Sequence, residues 1–402
     1  MRPFDGRRIL LGITGGIASY KSVLLARSLT QAGAEVDVVM TRAAQEFVGA
    51  ITFEAVTGRV SYSEIFGTGH TLDHIRLARE AEVFVVAPAT ADFLARAAHG
   101  HADDLLTACL LANIAPVLLV PAMNDRMWSN AQTVSNVAHL RERGFSVIDP
   151  DVGPLAAGEG DGPGRMPEPE RIFAELARVL EPVGPLSGTS VIVTAGATRE
   201  PIDPVRFISN HSSGLMGVSL AEAAYRRGAK VILIAGHLDV EAGSWLDVVR
   251  TDTTSDMRDE VARSLPDADV LIMAAAPADF RPKLAATQKL KKSGSTGSTI
   301  ELSHTDDILR STIEARRKGS IVVGFALETE NDLANGATKL REKKLDLVVV
   351  NNAAEEGAGF GVATNRVTLL APGLPDEHLP LMPKTELADV ILDRVAVMLN
   401  GR

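Results

Sequence analysis

Short apolar runs alternate with segments of helical spacing along the first half of the chain. Five of these runs predict buried strands, at residues 9–13, 35–40, 83–87, 117–121 and 146–148. The first helical segment carries Tyr20, Leu24, Leu25 and Leu29 at helical spacing and stops at Gly33. Because strands and helices alternate, we expect this half to form a parallel sheet covered by helices on both faces.

The second half repeats this alternation after a short break. Its apolar runs predict strands at residues 191–193, 230–235, 248–251, 270–274, 321–326, 347–351 and 366–370. Residues 168–180 predict a helix that closes the first half, and a Pro/Gly-rich linker follows over residues 181–188. We therefore expect two α/β domains, over residues 1–183 and 187–402, although no sequence repeat relates the two halves.

Length and charge narrow the class of protein. A chain of 402 residues exceeds what one hydrophobic core usually fills, which supports two domains. Its 41 Lys and Arg against 51 Asp and Glu give a net charge of −10. This balance argues against bulk nucleic-acid binding and against docking on an anionic membrane.

The sequence also indicates in which cellular compartment the protein is expected. The single cysteine, Cys109, excludes an internal disulfide framework and fits a reducing cytoplasm. Residues 9–29 resemble a signal peptide, but Lys21 and Arg27 interrupt them and no small-residue cleavage pattern follows. No apolar run approaches membrane-spanning length, so we expect a cytoplasmic protein.

The first strand runs into a Gly-rich turn, Thr-Gly-Gly-Ile-Ala-Ser at residues 14–19. The turn lacks the GxGxxG pattern of dinucleotide-binding folds, which disfavours an NAD(P) oxidoreductase. It fits a mononucleotide phosphate better, because a Gly-rich turn before a helix presents free N–H groups. The alternative is a tight turn that binds nothing.

Two later strand ends carry small or polar residues at the same predicted edge. Residues 87–92 read Ala-Pro-Ala-Thr-Ala-Asp, and residues 121–128 include Met123, Asn124 and Trp128. A Met/Trp pair is more often core than cofactor wall, whereas Asn124 lies where α/β folds bind ligands. His74 is a further candidate base, against the alternative of a surface or capping residue. His70 and His74 have metal-pair spacing, but the sequence supplies no third ligand.

A second strand–turn–helix unit spans residues 191–217. Its apolar run leads into Thr-Ala-Gly-Ala-Thr, then into a polar loop, and Ser-Ser-Gly at residues 212–214 heads the next helix. This arrangement predicts an anion site at the carboxyl edge of the sheet. The loop carries more polar side chains than a structural loop needs: Arg199, Asp203, Arg206, Asn210 and His211.

Two basic clusters follow in the second half. They comprise Lys283, Lys289, Lys291 and Lys292, and then Lys339, Arg341, Lys343 and Lys344. Each could be a solvated face. Beside the strand end Ala-Ala-Ala-Pro-Ala-Asp at residues 274–279, they instead suggest a triphosphate pocket whose carboxylate holds a divalent cation. A Walker A pattern is absent, so the chain is not a P-loop enzyme.

Several motifs of the first half resemble those of the flavin-dependent cysteine decarboxylases: GITGGIASYK, DHIRLA, APATADFLARAAHGHADDLL and PAMNDRMW. Motifs of the second half resemble those of the phosphopantothenate–cysteine ligases: TAGATREPIDPVRFISNHSSGLMG, AAAPADFRP, KLKK and GFALET. In this order, over roughly residues 7 to 398, the chain resembles the bifunctional enzymes of bacterial coenzyme A synthesis. The resemblance implies two doubly wound three-layer domains, flavodoxin-like at the N-terminus and Rossmann-like at the C-terminus.

For the first domain the resemblance implies an FMN-dependent decarboxylase acting on phosphopantothenoylcysteine. The flavin oxidises the cysteinyl moiety, carbon dioxide leaves from the thioaldehyde, and the enethiol is reduced to 4′-phosphopantetheine. His74 then matches the histidine near the thiol, Asn124 the residue that binds the departing carboxylate, and Met123 a substrate contact. The implied FMN residues are Gly15, Gly16, Ile17, Ser19, Thr41, Ala89 and Thr90.

For the second domain the resemblance implies CTP as the nucleotide. The carboxylate of 4′-phosphopantothenate attacks the α-phosphorus and releases pyrophosphate, and the amine of cysteine then displaces CMP. Asn210 would handle the acyl cytidylate, Arg206 the anionic end of the substrate, and Asp279 the nucleotide or its Mg²⁺. The implied CTP residues are Met273, Ala274, Ala275, Asp279, Lys289 from its own chain or across a dimer interface, Asp306, Asp307, Ile308, Leu309, Phe325, Lys339 and Lys343.

The sequence departs from the family pattern at a few positions. In the flap over residues 155–166, Ala157 stands where relatives have a cysteine that protonates the enethiolate, so Glu159 or Asp161 would have to serve. Asp92 and Leu215 replace residues that are more often Asn and Lys. One alternative is therefore a ligase with an impaired or repurposed decarboxylase domain.

Another alternative is a non-catalytic flavin-binding regulatory subunit, which would not need the ligase-like half. The family's decarboxylases form trimers and its ligases dimers. The resemblance thus also implies a homo-oligomer, a dodecamer when both contacts operate.

Overall fold

The computed structural model describes residues 3–66, 72–154, 160–180, 184–291, 299–328, 331–352, 355, 357–359 and 361–401. The chain divides into two compact units, Met1–Pro182 and Val183–Arg402. Within the described residues, every helix is too short or too polar to cross a membrane.

Unit 1 alternates strands and helices as its apolar pattern predicts. Its strands are β1 Arg8–Ile13, β2 Glu35–Met40, β3 Ser61–Tyr62, β4 Val83–Ala89, β5 Val117–Pro121, β6 Ser146–Val147, β7 Asp151–Pro154 and β8 Asp161–Arg165. Its helices are α1 Ser19–Gln31, α2 Arg42–Gln45, α3 Ala50–Thr57, α4 Asp73–Glu80, α5 Ala91–Ala98, α6 Leu105–Ala112, α7 Asp125–Trp128, α8 Ala131–Glu142 and α9 Pro169–Leu180.

The main sheet of unit 1 has the order β3-β2-β1-β4-β5-β6, and all of its pairings are parallel. Without the two-residue edge strand β3, this is the flavodoxin order 2-1-3-4-5. Leu25, Phe53 and Ile172 pack on one face of the sheet, and Phe93 and Leu106 on the other. The predicted doubly wound fold of this half is confirmed.

The apolar residues of α1 do not all face the core. Tyr20 and Leu24 are 55% and 49% exposed, whereas Leu25 and Leu29 are fully buried. Helical spacing therefore predicted the helix correctly, but only some of its apolar residues are buried.

Unit 2 contains a larger sheet and several short hairpins. Its strands are β9 Ser190–Ala195, β10 Arg199–Pro201, β11 Phe207–Ser209, β12 Lys230–Ala235, β13 Asp247–Arg250, β14 Val270–Met273, β15 Phe280–Pro282, β16 Leu302–His304, β17 Ile321–Glu328, β18 Leu347–Asn352, β19 Thr364–Asn365, β20 Thr368–Leu370, β21 Glu377–His378 and β22 Met382–Pro383. Its helices are α10 Leu215–Arg226, α11 Thr254–Ser264, α12 Ile308–Ser311, α13 Asp332–Glu342 and α14 Lys384–Asn400, with 3₁₀ turns at Leu265–Asp267 and Ile313–Ala315.

The eight-stranded sheet of unit 2 has the order β13-β12-β9-β14-β17-β18-β20-β21. Its first six strands are parallel in the doubly wound order 3-2-1-4-5-6, and β20 and β21 add an antiparallel edge. Helices α10 and α14 cover one face, and α11, α12 and α13 cover the other. The chain reverses direction across the sheet between β9 and β14, which opens a crevice at their carboxyl ends.

Candidate functional site

In unit 1, the turn after β1 approaches the turn after β2 so closely that only glycine fits. A Cβ atom on Gly15 would lie 2.4 Å from the Cβ of Ala43. Ser19 is fully buried, and its hydroxyl donates to the carbonyl of Gly16 at 2.7 Å. Gly16 has open space around it and Ile17 is 67% exposed, so the turn presents main chain and one apolar side chain outward.

Threonine hydroxyls tie the neighbouring strand ends together. The Thr14 hydroxyl donates to the carbonyl of Pro88 at 2.8 Å and accepts from the Thr90 N–H at 3.1 Å. Thr41 and Thr90 cap α2 and α5, accepting from backbone N–H groups of those helices. The sequence-predicted flavin residues at the ends of β1, β2 and β4 thus share one edge of the sheet, and none of them is charged.

His74 is the second residue of α4, which runs from the carboxyl edge of the sheet back toward the start of β4. Its Nδ1 atom is buried and has no hydrogen-bond partner within the part of the chain that the structure describes. This nitrogen is closed off from solvent by neighbouring protein atoms, so it does not itself face an open ligand site. The role of His74 as a substrate-facing group, against that of a surface or capping residue, stays a prediction from the motif.

Asn124 caps α7, since its Oδ1 accepts from the Arg126 N–H at 2.9 Å. The preceding residue, Met123, donates its N–H to the carbonyl of Gly164 in β8 at 3.0 Å. A Cβ on Gly164, whose φ is +150°, would lie 2.1 Å from the Met123 carbonyl oxygen. The base of the flap is therefore a β7–β8 hairpin docked on the Asn124 loop by close backbone contact.

The alternating glycines at 162 and 164 were the available signal for this docking, because a Cβ on Gly162 would also meet Asp125 at 2.8 Å. Asp161 begins β8 and is exposed. Ala157 and Glu159 lie outside the described residues.

A cavity of about 890 Å³ in unit 1 lies away from these residues. It is bounded by β5, β6 and α9 and contains none of the predicted flavin residues. Volume alone therefore does not identify the candidate site in this unit.

In unit 2, a cavity of about 740 Å³ opens at the carboxyl ends of β14, β17 and β18 and at the start of α10. Asn210 and every predicted CTP residue except Lys289 line it. The nucleotide residues concerned are Met273, Ala274, Ala275, Asp279, Asp306, Asp307, Ile308, Leu309, Phe325, Lys339 and Lys343.

Glycines allow the start of α10 to pack closely against the sheet. Gly214 has φ +80°, and a Cβ on Gly217 would lie 2.5 Å from the Cβ of Ala195 in β9. Asn210 is held beside this helix start, because its Nδ2 donates to the carbonyls of Ala276 and Pro277 at 3.0 Å each. The start of α10 and the Asn210 side chain thus both line this cleft.

Two lysines from α13 and its C-terminal end supply positive charge on one side of the cleft. The Lys339 ammonium donates to the carbonyl of Phe325, and Lys343 forms an ion pair with Asp307 at 2.8 Å. Burial, together with the neighbouring charge of Lys343, lowers the pKa of Lys339 to about 8. A phosphate group would restore the charged form of Lys339.

Three predicted site residues either form ion pairs within their own chain or lie outside the cleft. The Arg206 guanidinium pairs with the buried Asp203 and donates to the carbonyl of Leu290 at 2.9 Å, and it does not line the cleft. Lys289 is exposed and lies outside the cleft lining. Asp306 lines the cleft but already pairs with Arg258.

Sequence reasoning missed three buried polar residues of this cleft: Asn351, Asn365 and Lys384. Asn351 ends the apolar run of β18, so its position at the carboxyl edge was a usable signal. Lys384 opens α14, far along the chain from the other site residues, and no local pattern marks it.

Among the described residues, no group of three or more His, Cys, Asp or Glu side chains is placed to hold a metal ion. His70, the other half of the histidine pair, falls outside them. Asp279 in the cleft wall could hold a divalent cation only together with ligand oxygens and water, which is how Mg²⁺ usually binds beside phosphates.

Two family models match the chain, and together they cover nearly all of it. Residues 2–181 match the Flavoprotein family, and residues 186–398 match the DNA/pantothenate metabolism flavoprotein C-terminal domain. Among solved structures, a crystal structure of the C-terminal domain of CoaBC is 35% identical, with a TM-score of 0.47, over 55% of this chain and 100% of that one. The FMN-dependent cysteine decarboxylase SpaF is 36% identical, with a TM-score of 0.35, over 39% of this chain and 89% of that one.

Relatives that match over nearly the full length of this chain include several coenzyme A biosynthesis bifunctional proteins. The coenzyme A biosynthesis bifunctional protein CoaBC of Mycobacterium bovis is 45% identical over 98% of this chain and 97% of its own length. The CoaBC proteins of Vibrio vulnificus and Bacillus subtilis are 42% and 41% identical, over 100% and 98% of both chains. The resemblance read from the motifs is confirmed: the chain belongs to the family of coenzyme A biosynthesis bifunctional proteins, enzymes with a decarboxylase Flavoprotein half and a ligase C-terminal half.

Proposed function

We propose that unit 2 joins 4′-phosphopantothenate to cysteine at the expense of CTP, through an acyl cytidylate. The observation that carries this proposal is the cleft at the start of α10, where Asn210 and the nucleotide residues named from sequence converge. An unactivated carboxylate resists amide formation, so the reaction needs a leaving group. Attack of the carboxylate on the α-phosphorus of CTP forms the acyl cytidylate and releases pyrophosphate. CMP is then the leaving group when the amide forms.

The residues of the cleft divide this work. Lys339 and Lys343 stabilise charge on the triphosphate as pyrophosphate departs. Asp279 binds Mg²⁺ together with phosphate oxygens. Asn210 and the α10 N-terminus hold the acyl phosphate, and Asp306, Asp307, Ile308, Leu309 and Phe325 surround the nucleoside. Lys289 and Arg206 would join the site from the partner subunit of a dimer, since neither lines the cleft of its own chain.

We propose that unit 1 decarboxylates the product, phosphopantothenoylcysteine, to 4′-phosphopantetheine with FMN as cofactor. The uncharged cradle of Gly15, Gly16, Ser19, Thr41 and Thr90, with Ala89, fits a phosphate held by main-chain N–H groups and by the Thr41 and Thr90 hydroxyls, with an isoalloxazine against Ile17. The buried Ser19 hydroxyl, which donates to Gly16, shapes the turn. When bound, FMN supplies the oxidation and re-reduction of the cysteinyl group. His74, in the first turn of α4, acts next to the thiol, and Met123 and Asn124 hold the carboxylate that leaves.

A second candidate function rests on Ala157, which stands where decarboxylase relatives have a proton-donating cysteine. A methyl group cannot return a proton to the enethiolate. If Glu159 or Asp161 does not serve, the protein is a ligase whose decarboxylase half stalls after loss of carbon dioxide.

We further propose a cytoplasmic homo-oligomer, a dodecamer built from decarboxylase trimers and ligase dimers. Its substrates are small molecules, and Mg²⁺ accompanies CTP. The dimer contact is the one that would bring Lys289 and Arg206 to a neighbouring cleft.

The test uses the full-length, FMN-supplemented protein. CTP-dependent pyrophosphate release should require 4′-phosphopantothenate, and adding cysteine should give the amide and CMP. Supplied with phosphopantothenoylcysteine, the protein should give equal amounts of carbon dioxide and 4′-phosphopantetheine. Carbon dioxide without phosphopantetheine would select the second candidate. A colourless protein that is indifferent to CTP would overturn both halves of the proposal.

A further inference from the structure

Lys384 is the first residue of α14, lines the unit 2 cleft and is only 4% exposed. Its ammonium donates to the carbonyl of Gly359 at 2.9 Å. Buried lysines are normally paired with a carboxylate, because an isolated ammonium is costly to remove from water. Among the residues that the structure describes, no carboxylate pairs with Lys384, and burial lowers its pKa.

The position of Lys384 on its helix is also unfavourable for a cation. The N-terminus of a helix carries partial positive charge, and α14, with 17 residues, has a full macrodipole. Pro383, which precedes Lys384, offers no side-chain cap. Because the Lys384 N–H already donates to the carbonyl of Ala363 at 2.9 Å, anion binding at this wall of the cleft rests on the ammonium, which has donors left besides its bond to Gly359.

Lys384 does not belong to the group of charges assigned to the triphosphate. Helix α14 packs with α10 on one face of the sheet, whereas Lys339 and the rest of α13 pack on the opposite face. The cleft spans the carboxyl edge between the two faces. Its Lys384 side carries the amide side chains of Asn351 and Asn365, which are 8% and 3% exposed. One ammonium flanked by amides matches a singly charged anion better than a triphosphate.

We propose that Lys384, with Asn351, binds the α-carboxylate of the incoming cysteine in the second step of the ligase reaction. This inference rests on the proposed function, since it assumes an acyl cytidylate in the same cleft. The cysteine amine forms the amide bond to the acyl carbon as the acyl–oxygen bond breaks. CMP leaves with the electron pair, and the amine releases its proton. By fixing the carboxylate, Lys384 orients the amine and selects amino acids over simple amines.

The test separates the two steps and varies the amine. The first step is followed as a burst of pyrophosphate from CTP and 4′-phosphopantothenate without any amine. The second is followed as kcat/KM for cysteine and for cysteamine, which lacks the carboxylate. Wild-type protein should prefer cysteine. In Lys384→Met, kcat/KM for cysteine should fall about tenfold or more, the value for cysteamine should stay within about twofold, and the burst should persist.

Asn351→Leu is a second variant in case Lys384→Met does not fold, and it should lose part of the same preference. Lys318→Met removes an exposed lysine of the same unit and should behave as wild type. An unchanged preference for cysteine in a folded Lys384 variant would overturn the inference. A lost burst with a raised KM for CTP or for 4′-phosphopantothenate would also overturn it, and would assign Lys384 to a phosphate or to the other carboxylate. If the wild-type protein gives no CTP-dependent burst, the proposed function itself fails.

Discussion

The two units place their candidate ligand sites at the same part of similar sheets but build them from different chemistry. At the flavin edge of unit 1, the predicted phosphate cradle consists of Gly15, Gly16, Ser19, Thr41 and Thr90, all uncharged. The unit 2 cleft is lined by Lys339, Lys343 and Lys384 against Asp279, Asp306 and Asp307. One edge relies on fixed dipoles, and the other relies on titratable charge.

The difference follows from what each proposed ligand must do. A cofactor phosphate stays bound through the reaction, so N–H groups held in position by close backbone packing suffice. A triphosphate is cleaved and its pyrophosphate leaves, so charge must be stabilised as it develops. We therefore expect the flavin edge to be sensitive to shape, and the nucleotide cleft to be sensitive to charge and pH.

The largest effect should come from placing a negative charge in the unit 2 cleft. Asn210→Asp would set a carboxylate against the carbonyls of Ala276 and Pro277, which now accept from the Asn210 amide. Ligase kcat should fall about 10³-fold, the scale for losing a donor at the reacting centre. Flavin absorbance and decarboxylation should not change. Asn400→Asp, at the exposed end of α14, is the matched control. Equal loss of both activities would argue against independent sites.

The converse substitution is His74→Asn in unit 1. It removes the imidazole ring in the first turn of α4, the group the family motif places near the thiol. Decarboxylation should fall about 10²-fold or more, as expected for loss of a group that moves a proton. Ligase turnover and thermal stability should stay near wild type. His101→Asn changes an exposed histidine of the same unit and serves as control. Undiminished carbon dioxide release by His74→Asn would remove His74 from the mechanism.

The sensitivity of the flavin edge to shape can be tested with one methyl group. In Gly15→Ala the new Cβ would lie 2.4 Å from the Cβ of Ala43, so one of the two turns must move. Overpacking of this kind costs about 1–3 kcal/mol, which should weaken FMN binding roughly tenfold or more by flavin fluorescence titration. Gly49→Ala, whose Cβ meets only Ile51 at 3.9 Å, is the control. Similar FMN affinity in both variants would contradict the close-approach argument.

The smallest effect is a pH dependence confined to unit 2. Because burial and Lys343 lower the pKa of Lys339 to about 8, the ammonium is charged below that pH and loses its proton above it. A bound phosphate favours the charged form, so the KM for CTP should rise about fourfold from about pH 7 to about pH 8.5. Lys339→Arg stays charged throughout and should flatten this rise. A KM independent of pH in the wild type would show that Lys339 does not meet the phosphates.

Much of the fold was predictable because parallel strands buried on both faces are continuous apolar runs. The runs at 35–40, 117–121 and 230–235 coincide with β2, β5 and β12. The hairpins were not predicted, because β10–β11 and β15–β16 are short and largely exposed and carry no such signal. The run at 366–370 gave a strand that begins at Thr368, but its antiparallel direction depends on pairing with β18.

The CTP residues were implied by the motifs that the chain shares with the ligases. Ala274 and Ala275 directly follow β14, at the carboxyl edge where such folds bind ligands, whereas Lys339 and Lys343 lie on α13 or at its end. Lys289 and Arg206 were expected from motifs alone, and their own chain does not bring them to the cleft. A motif fixes which residue types occur together in sequence, but not which of them face one cavity.

The sequence by itself determined the two α/β units, the family, and the Gly-rich and lysine-bearing strand ends, because these depend on local periodicity and short motifs. Only the tertiary structure decided that Arg206 engages the buried Asp203, that Lys289 lies away from the cleft of its own chain, and that Lys384 lines that cleft. Those facts depend on which distant segments the sheet order brings together and on how much water the packing excludes. Spacing along the chain encodes neither.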